Sequence, residues 1–384
     1  MTKKQPFDLP KVSIIIINFN YGRFLLEAAE SVHNQSYPNI ELIIVDDAST
    51  DESGDVLDLV AELYPEAKIV RRLENGGQSA AALTGFEHSS GDYIVFVDAD
   101  DILLEHFVAT HIFVHLSLRV PVGFSSSDML QMVGNRIVTG TLQYFSAYVR
   151  AQKSQKNLLR SVALSAPALW QVPAIGDDIC NDVYWVKPTH HLDWIWAPCS
   201  GNCFRRDAVS IFFDNDALTD LRTATDAYLM RGIAALTGSV LIDRPLAVYR
   251  VHGANTFTRM AHLNGMLNYD PANNYDDKAR RLAIDLIIRR IGQFARCAPN
   301  SFQLLLTLGT LNVPAPRGVK VWGGGTYAGG QIIKNFREVS RAVGLWPLVL
   351  LSLRFGVTPW GLVLALCRLA VGRRTKPTTL DNTV

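Results

Sequence analysis

Val12-Ser-Ile-Ile-Ile-Ile17 is a near-continuous β-branched run, which predicts a strand buried on both faces. Asn18 to Gly22 is a turn. Phe24, Leu25, Ala28, Ala29 and Val32 then recur at helical spacing, and Tyr37-Pro38-Asn39 ends the unit. The alternation repeats. Ile40 to Val45 predicts a second buried strand, Asp46 to Asp51 a polar loop, and Val56, Leu59, Val60 and Leu63 a second helix closed by Pro65. Lys68 to Arg72 is a short third strand, Asn75-Gly76-Gly77 a turn and Ser79 to His88 a small-residue helix. Tyr93 to Val97 is a fourth strand, ending in Asp98-Ala99-Asp100-Asp101. Strand and helix in alternation with short loops predict a parallel α/β sheet, whose ligands bind beyond the carboxyl ends of its strands. The loops after Ile17, Val45, Arg72 and Val97 leave such ends and are expected to converge on one cleft.

Beyond Val120 the pattern is less regular. Phe124 to Met132 and Arg136 to Thr139, around Gly134-Asn135, predict a hairpin. Thr141 to Lys187 is rich in aromatics and prolines and follows neither period. A helix around Asp226 to Leu236 and a strand around Val240 to Ile242 restore the α/β pattern, Asn264 to Asp277 is a polar linker, and Lys278 to Leu311 is helical in spacing. The end of the chain differs again. Val343 to Leu353 and Phe355 to Cys367 are apolar, each with an internal proline, and Arg354 separates them. Neither reaches the roughly 20 apolar residues of a membrane span. They are expected to be one or two interfacial helices, with Arg368, Arg373, Arg374 and Lys376 held by anionic headgroups.

Composition narrows the classes. With 48% hydrophobic and 19% charged residues, the 384-residue chain has material for a sizeable core and is not intrinsically disordered. The net charge of +1 argues against a bulk electrostatic grip on nucleic acid. The five cysteines are scattered, and Cys199 and Cys203 lack a partner pair at zinc-ribbon spacing, so reduced thiols are expected. No apolar signal core follows the polar stretch Met1 to Pro10, which predicts a cytoplasmic location.

The chemistry sits at the strand ends. Alternation in an extended chain sends Asp98 and Asp100 to one side, where two carboxylates repel unless a cation lies between them. That is a hard-oxygen half-site for Mg2+ or Mn2+, which phosphate oxygens would complete. Asp101 also suits the cap of a helix starting near Leu103. In Val45-Asp46-Asp47-Ala48-Ser49-Thr50-Asp51 an ionised carboxylate would accept an N–H from a nucleobase, while Ser49 to Asp51 suit a helix N-terminus. Asn18-Phe19-Asn20-Tyr21-Gly22 has no G-x-G-x-x-G, which argues against a dinucleotide fold of the NAD type. Arg71-Arg72 and the Asn75-Gly76-Gly77 turn open a helix whose amides would face a phosphate or base.

Taken in order, Asn-x-Asn after the first strand, Val-Asp-Asp-Ala-Ser-Thr-Asp after the second, Asn75-Gly76-Gly77, and Gly91-Asp92-Tyr93 leading into Asp98-Ala99-Asp100-Asp101 resemble the family 2 glycosyltransferases. The resemblance covers about Pro10 to Leu118 and resumes from about Pro198 to Asn255. It implies an inverting enzyme of the GT-A fold that uses nucleotide-diphosphate sugars: a mixed, mainly parallel sheet flanked by helices, here followed by a C-terminal helical, apolar, membrane-associating extension. Residues 10–260 would form that domain, with a nucleotide-sugar half at 10–118 and an acceptor half at 119–260. Residues 261–340 would be a helical extension and 341–384 the membrane-associating tail.

Carried over by position, Asp47, or second Asp46, would contact the base. Asn18 and Asn20 would line the base and ribose pocket, with Arg72 and Asn75 beside it. Asp98 would bind ribose or metal and Asp100 would be the principal metal ligand. Arg250 would contact the diphosphate, and His252 would do so or join the metal shell. Trp194, Gly201 and Asn202 would serve the acceptor. The segment at Thr225-Asp226 resembles the one that holds the catalytic base, commonly Glu-Asp; Thr225 replaces the first acid, leaving Asp226. The resemblance implies a nucleotide-diphosphate sugar, with UDP-sugar favoured, and a glycan acceptor of the cell envelope; the C-terminal apolar segment adds a lipid-linked acceptor as the alternative and a peripheral place on the inner face of the plasma membrane. Two rivals stand beside it: a nucleotidyltransferase, although Asn18 to Gly22 lacks the Gly-rich basic loop, and a non-catalytic scaffold with the same fold, which Thr225 favours.

Overall fold

The computed structural model describes residues 8–152, 158, 177–188, 194–255, 275–297, 300–315 and 325–371. The chain divides into two compact units, Met1–Leu282 and Ala283–Val384.

In the first unit, β1 (Val12–Asn18), β2 (Ile40–Asp46), β3 (Lys68–Arg71) and β4 (Tyr93–Asp98) alternate with α1 (Gly22–His33), α2 (Ser53–Leu63) and α3 (Gln78–Glu87). The four strands pair in parallel, in the order β3-β2-β1-β4. Ile16 on β1 lies opposite Ile44 on one side and Val97 on the other. Ile14, Ile15 and Ile16 have no solvent exposure, as the unbroken apolar run requires of a strand covered on both faces. Each such side chain contributes about 1.5–3 kcal/mol by leaving water. Gly85 of α3 packs directly on β1, where a Cβ would lie 2.3 Å from Ile15 Cγ2.

The second half of the unit makes the sheet mixed. It supplies β5 (Ile102–Leu103), α4 (Phe107–Ser117), the hairpin β6 (Phe124–Val133) and β7 (Arg136–Thr139), α5 (Gln143–Ala151), β8 (Val183–Val186), β9 (Asn202–Arg205), α6 (Arg206–Phe213), α7 (Thr225–Thr237) and β10 (Ser239–Val251). The strand order runs β3-β2-β1-β4-β9-β6-β10-β5, with β7 on β6 and β8 on β10. β9 joins the two halves by pairing antiparallel with both β4 and β6. β10 is much longer than the apolar triplet at Val240 to Ile242 suggests. It breaks register with β6 on either side of Pro245, which lacks a ladder N–H. Past this bulge its last residues run beside β5 and reach the acidic loop after β4. Asp101 caps no helix: it is 1% exposed and precedes β5, and α4 begins only at Phe107.

Among the described residues seven helices follow: α8 (Tyr275–Arg289), which begins in the first unit, then α9 (Ile291–Cys297), α10 (Ser301–Leu311), α11 (Tyr327–Lys334), α12 (Phe336–Val343), α13 (Leu345–Ser352) and α14 (Pro359–Val371). The helical spacing from Lys278 to Leu311 is therefore three helices. α10 starts anew where the Asn300 side chain accepts from the Gln303 amide at 2.8 Å. Among the described residues no helix is long and apolar enough to cross a membrane. Most of Asn264 to Asp277, His190, His191 and the tail from Gly372 lie outside the described residues.

Candidate active site

The loops after β1, β2 and β3 form one hydrogen-bonded frame. The Asn20 amide donates to Ser49 Oγ at 2.8 Å, its side-chain oxygen accepts from the Thr50 amide at 2.7 Å, and the Gly22 amide donates to Asp51 at 2.9 Å. Asn20 and Ala48 hold left-handed backbone (φ 59° and 61°), a strained conformation that marks a tightly determined loop. Asn18 has no solvent exposure; its amide donates to Asp46 Oδ1 at 2.7 Å and Ser53 Oγ at 2.9 Å, while Asp46 also holds Ser49. Asn18 and Asp46 thus brace the floor of the loop instead of lining a pocket, because β1 and β2 bring their ends together there.

Asp47 takes the next layer. Its carboxylate accepts from the Gly76 amide at 3.0 Å and the Gly77 amide at 2.7 Å, and pairs with Arg72 at 3.0 Å. Gly77 is required there: its φ is +83°, and a Cβ would sit 2.3 Å from the carbonyl oxygen of Arg222. Asn75 accepts from the Arg222 guanidinium, and the Gln78 amide donates to the Arg222 carbonyl at 2.8 Å. The segment ahead of α7 is thereby latched onto the turn after β3.

The acidic loop after β4 is built by residues from both halves. Ser200 receives the Asp98 amide at 3.0 Å and donates to Asp101 at 2.7 Å, and the Arg250 amide donates to the other Asp101 oxygen at 3.1 Å. Asp100 lies 2.9 Å from His252 Nε2 and accepts from Asn255 at 3.3 Å. Tyr21 and Phe24 hold the imidazole, at 5.4 and 4.9 Å between ring centres. Asp98 accepts a long bond, 3.3 Å, from Gln78. Burial, then the charges of Asp100 and Asp226, push its carboxyl well above the ordinary range. Burial, then Asp100 and Asp98, do the same to Asp101.

Asp226 opens α7 at the edge of this group. It is half-buried and accepts from the Ala227 amide at 2.8 Å. Burial pushes its carboxyl up to about 6. Ala224 before it is left-handed (φ 63°). Thr225 stands 2.6 Å from Ser79 Oγ and donates its amide to Gln78 at 3.2 Å. One side chain, Gln78, therefore spans Asp98 and the residue beside Asp226. Gln78, Ser200 and Arg222 have no signal in the sequence, because their partners lie far along the chain.

Several expected contacts differ. Arg250 is 7% exposed and turned to α1, where it pairs with Glu27 at 2.6 Å over the Phe24 ring; only its backbone reaches the site. Asn202 has no exposure, and its amide donates to the carbonyls of Ala197, Pro198 and Cys199. Gly201 is packed against Ala197. Both hold the turn that carries Ser200, so neither offers a group to an acceptor. Trp194 is half-buried and edges onto Trp196, with the Arg231 guanidinium over both rings. Trp196 is core, 3% exposed and bonded to Ser239. No three His, Cys, Asp or Glu side chains among the described residues converge as a metal cage.

Glycosyl transferase family 2 matches residues 13–113, the segment that carries the first four strands and the acidic loop. Over that segment the chain is similar to the family 2 glycosyl transferases. An uncharacterized glycosyltransferase of Nostoc is 29% identical over 245 residues, 64% of this chain and 66% of that protein. Glycosyltransferase GlyG of Streptococcus pneumoniae is 35% identical over 99 residues, 26% of this chain and 33% of that one. The chain thus spans under two thirds of the length of either relative. Among solved structures, S. aureus TarS in complex with UDP aligns over 97% of this chain and 94% of its own, at 16% identity and a TM-score of 0.47. The family 2 segment contains Asn18, Asn20, Asp46, Asp47, Arg72, Asn75, Asp98 and Asp100; Asp226 and His252 lie outside it and reach it through the fold.

Proposed function

We propose that the chain transfers a glycosyl unit, with inversion, from a nucleotide-diphosphate sugar to a hydroxyl of a glycan or lipid-linked acceptor, on a GT-A fold. The observation that carries this reading is the position of Asp226: half-open, paired with no cation among the described residues, and tied through Thr225 and Gln78 to the acidic loop of the segment that matches family 2. Asp226 takes the acceptor proton as the hydroxyl oxygen attacks the anomeric carbon. The bond from that carbon to the diphosphate oxygen breaks, and the diphosphate leaves with the electron pair. A carboxyl raised to about 6 is ionised at neutral pH yet more basic than an exposed aspartate.

On the donor side, Asp47 is held in place by the turn amides and Arg72. A carboxylate offers about four lone-pair sites, so it accepts a base N–H as well. Uracil presents such a donor, which favours a UDP-sugar. Asn20 and Asn75 border the same loops. Asp100, with His252 against it, and Asp98 form no cage by themselves; they would serve a hard divalent cation only as a half-site that the donor's phosphate oxygens complete. His252 Nδ1 is buried with no partner among the described residues, so the ring's one fixed polar contact is at Asp100. Mg2+ or Mn2+ bound there would neutralise charge on the leaving diphosphate. The proposed acceptor class and the apolar end of the chain support a peripheral position on the inner face of the plasma membrane.

The test is a thermal-shift panel of UDP, GDP, dTDP and CDP with and without Mg2+ or Mn2+. A ligand selective for the native state adds about 2.7 kcal/mol at 100 times its dissociation constant. Stabilisation by one diphosphate, dependent on metal and lost in Asp100→Ala, is expected. A null panel, together with no release of sugar from any donor, would sink the reading.

A further inference from the structure

Helices α13 and α14 turn apolar residues outward. On α13, Trp346 is 76% and Leu350 70% exposed, one turn apart, while Leu348, Leu351 and Ser352 are buried. On α14, Trp360 (73%), Val363 (45%) and Leu364 (39%) recur at i, i+3 and i+4, and the exposed Cys367 continues the stripe, while Gly361 and Ala365 lie on the covered side. A helix facing water has the opposite pattern, with polar residues on its outer face. The charge around these helices is one-sided. From Val339 to Leu380 the sequence holds six cations, Arg341, Arg354, Arg368, Arg373, Arg374 and Lys376, and no acid, in a chain whose net charge is only +1.

A second copy would bring one stretch of six cations and no acid up to another, so charge complementarity favours an anionic partner. An anionic bilayer satisfies both features. Helices of 8 and 13 residues are too short to cross it and lie along its surface. Exposed indoles favour the headgroup boundary, and the basic flanks meet lipid phosphates. We propose that α13 and α14 are the surface by which this chain docks on an anionic lipid bilayer. The inference deepens the membrane-side placement proposed above, and its test does not use sugar transfer.

The experiment is co-sedimentation of the full chain with vesicles of phosphatidylcholine alone or with added phosphatidylglycerol, read also by indole fluorescence. Binding with a blue shift on the anionic vesicles, at least about tenfold stronger than on neutral ones, is expected. Trp346→Glu with Trp360→Glu should lose both signals while the melting temperature is kept; Leu350→Gln alone should weaken binding. Absent binding, or binding that the double variant leaves unchanged, overturns the proposal. Self-association of the native chain, lost in the variant and with no vesicle binding, assigns the face to a second copy and also overturns it. Donor hydrolysis without vesicles reports separately on the sugar-transfer reading.

Discussion

The two ends of the sheet treat buried carboxylates in opposite ways. At the amino end, Glu41 is 9% exposed and surrounded by donors. Ser13 Oγ lies at 2.6 Å, the Ser90 and Gly91 amides at 2.5 and 3.1 Å, and the Lys11 and Lys68 ammoniums at 2.9 and 3.0 Å. Burial alone would raise its carboxyl, but these donors outweigh it and hold it well below the ordinary range. At the carboxyl end, Asp98 accepts from Gln78 and Asp226 from the Ala227 amide, no ion pair is seen at either among the described residues, and their carboxyls are raised. The same chemical group is held charged where donors answer it and is raised where they do not, and buried acids of the second kind are candidates for a functional site.

The largest expected break of this contrast is at Asp226. Asp226→Asn should lower turnover about 10²–10⁴-fold, the span of a general base, while its melting temperature at pH 8 is no lower than that of the native chain. The sign follows from the raised carboxyl. Stability tied to the protonated group is present at low pH and lost as pH rises through about 6, so the variant should gain on the native chain above that value. Native turnover should climb through the same pH. Unchanged turnover in the variant would end Asp226's claim.

Glu41→Gln is the mirror experiment. It should cost about 1.5–3 kcal/mol, toward the low end because both lysine partners are partly exposed, and leave turnover per folded molecule intact. Here the carboxyl is depressed, so its stabilisation is present above about 4.3 and lost as pH falls below it. Denaturant melts at pH 7 and at acid pH check this; a deficit that persists at low pH would refute the charge argument. Gln78→Ala should lower turnover by about tenfold, or about 1.4 kcal/mol, with little change in melting temperature, since it releases the link from Asp98 to the base segment. Lys68→Met should cost under about 1 kcal/mol, and less at high salt, because Lys68 is half exposed and Lys11 remains. A larger loss there would mean that the amino-end network acts as one unit.

The strands of the first half were legible because Ile14 to Ile17 and Ile40 to Val45 are apolar without interruption, and only a strand covered on both faces makes use of that. The convergence of four loops followed from their leaving the same ends. The roles within them were not legible. Asp46, Asp47, Asp98 and Asp101 are alike in sequence, yet one braces a floor, one holds a glycine turn, one stays nearly free and one is gripped by Ser200 and the Arg250 amide. Length misled at β10, where the short apolar triplet is only the start of a strand that bends at Pro245.

By itself the sequence determined that this chain makes a largely parallel α/β sheet, that acids stand at its strand ends, and that its last forty residues are apolar and basic. These rest on patterns within a few residues, where backbone period and side-chain type suffice. Only the tertiary structure decided which acid is answered by donors and which has its carboxyl raised. Ser200 meets Asp101 across 99 residues, and His252 meets Asp100 across 152. A carboxylate's behaviour depends on the donors within about 3 Å of it, and distant elements supply them when the sheet is assembled.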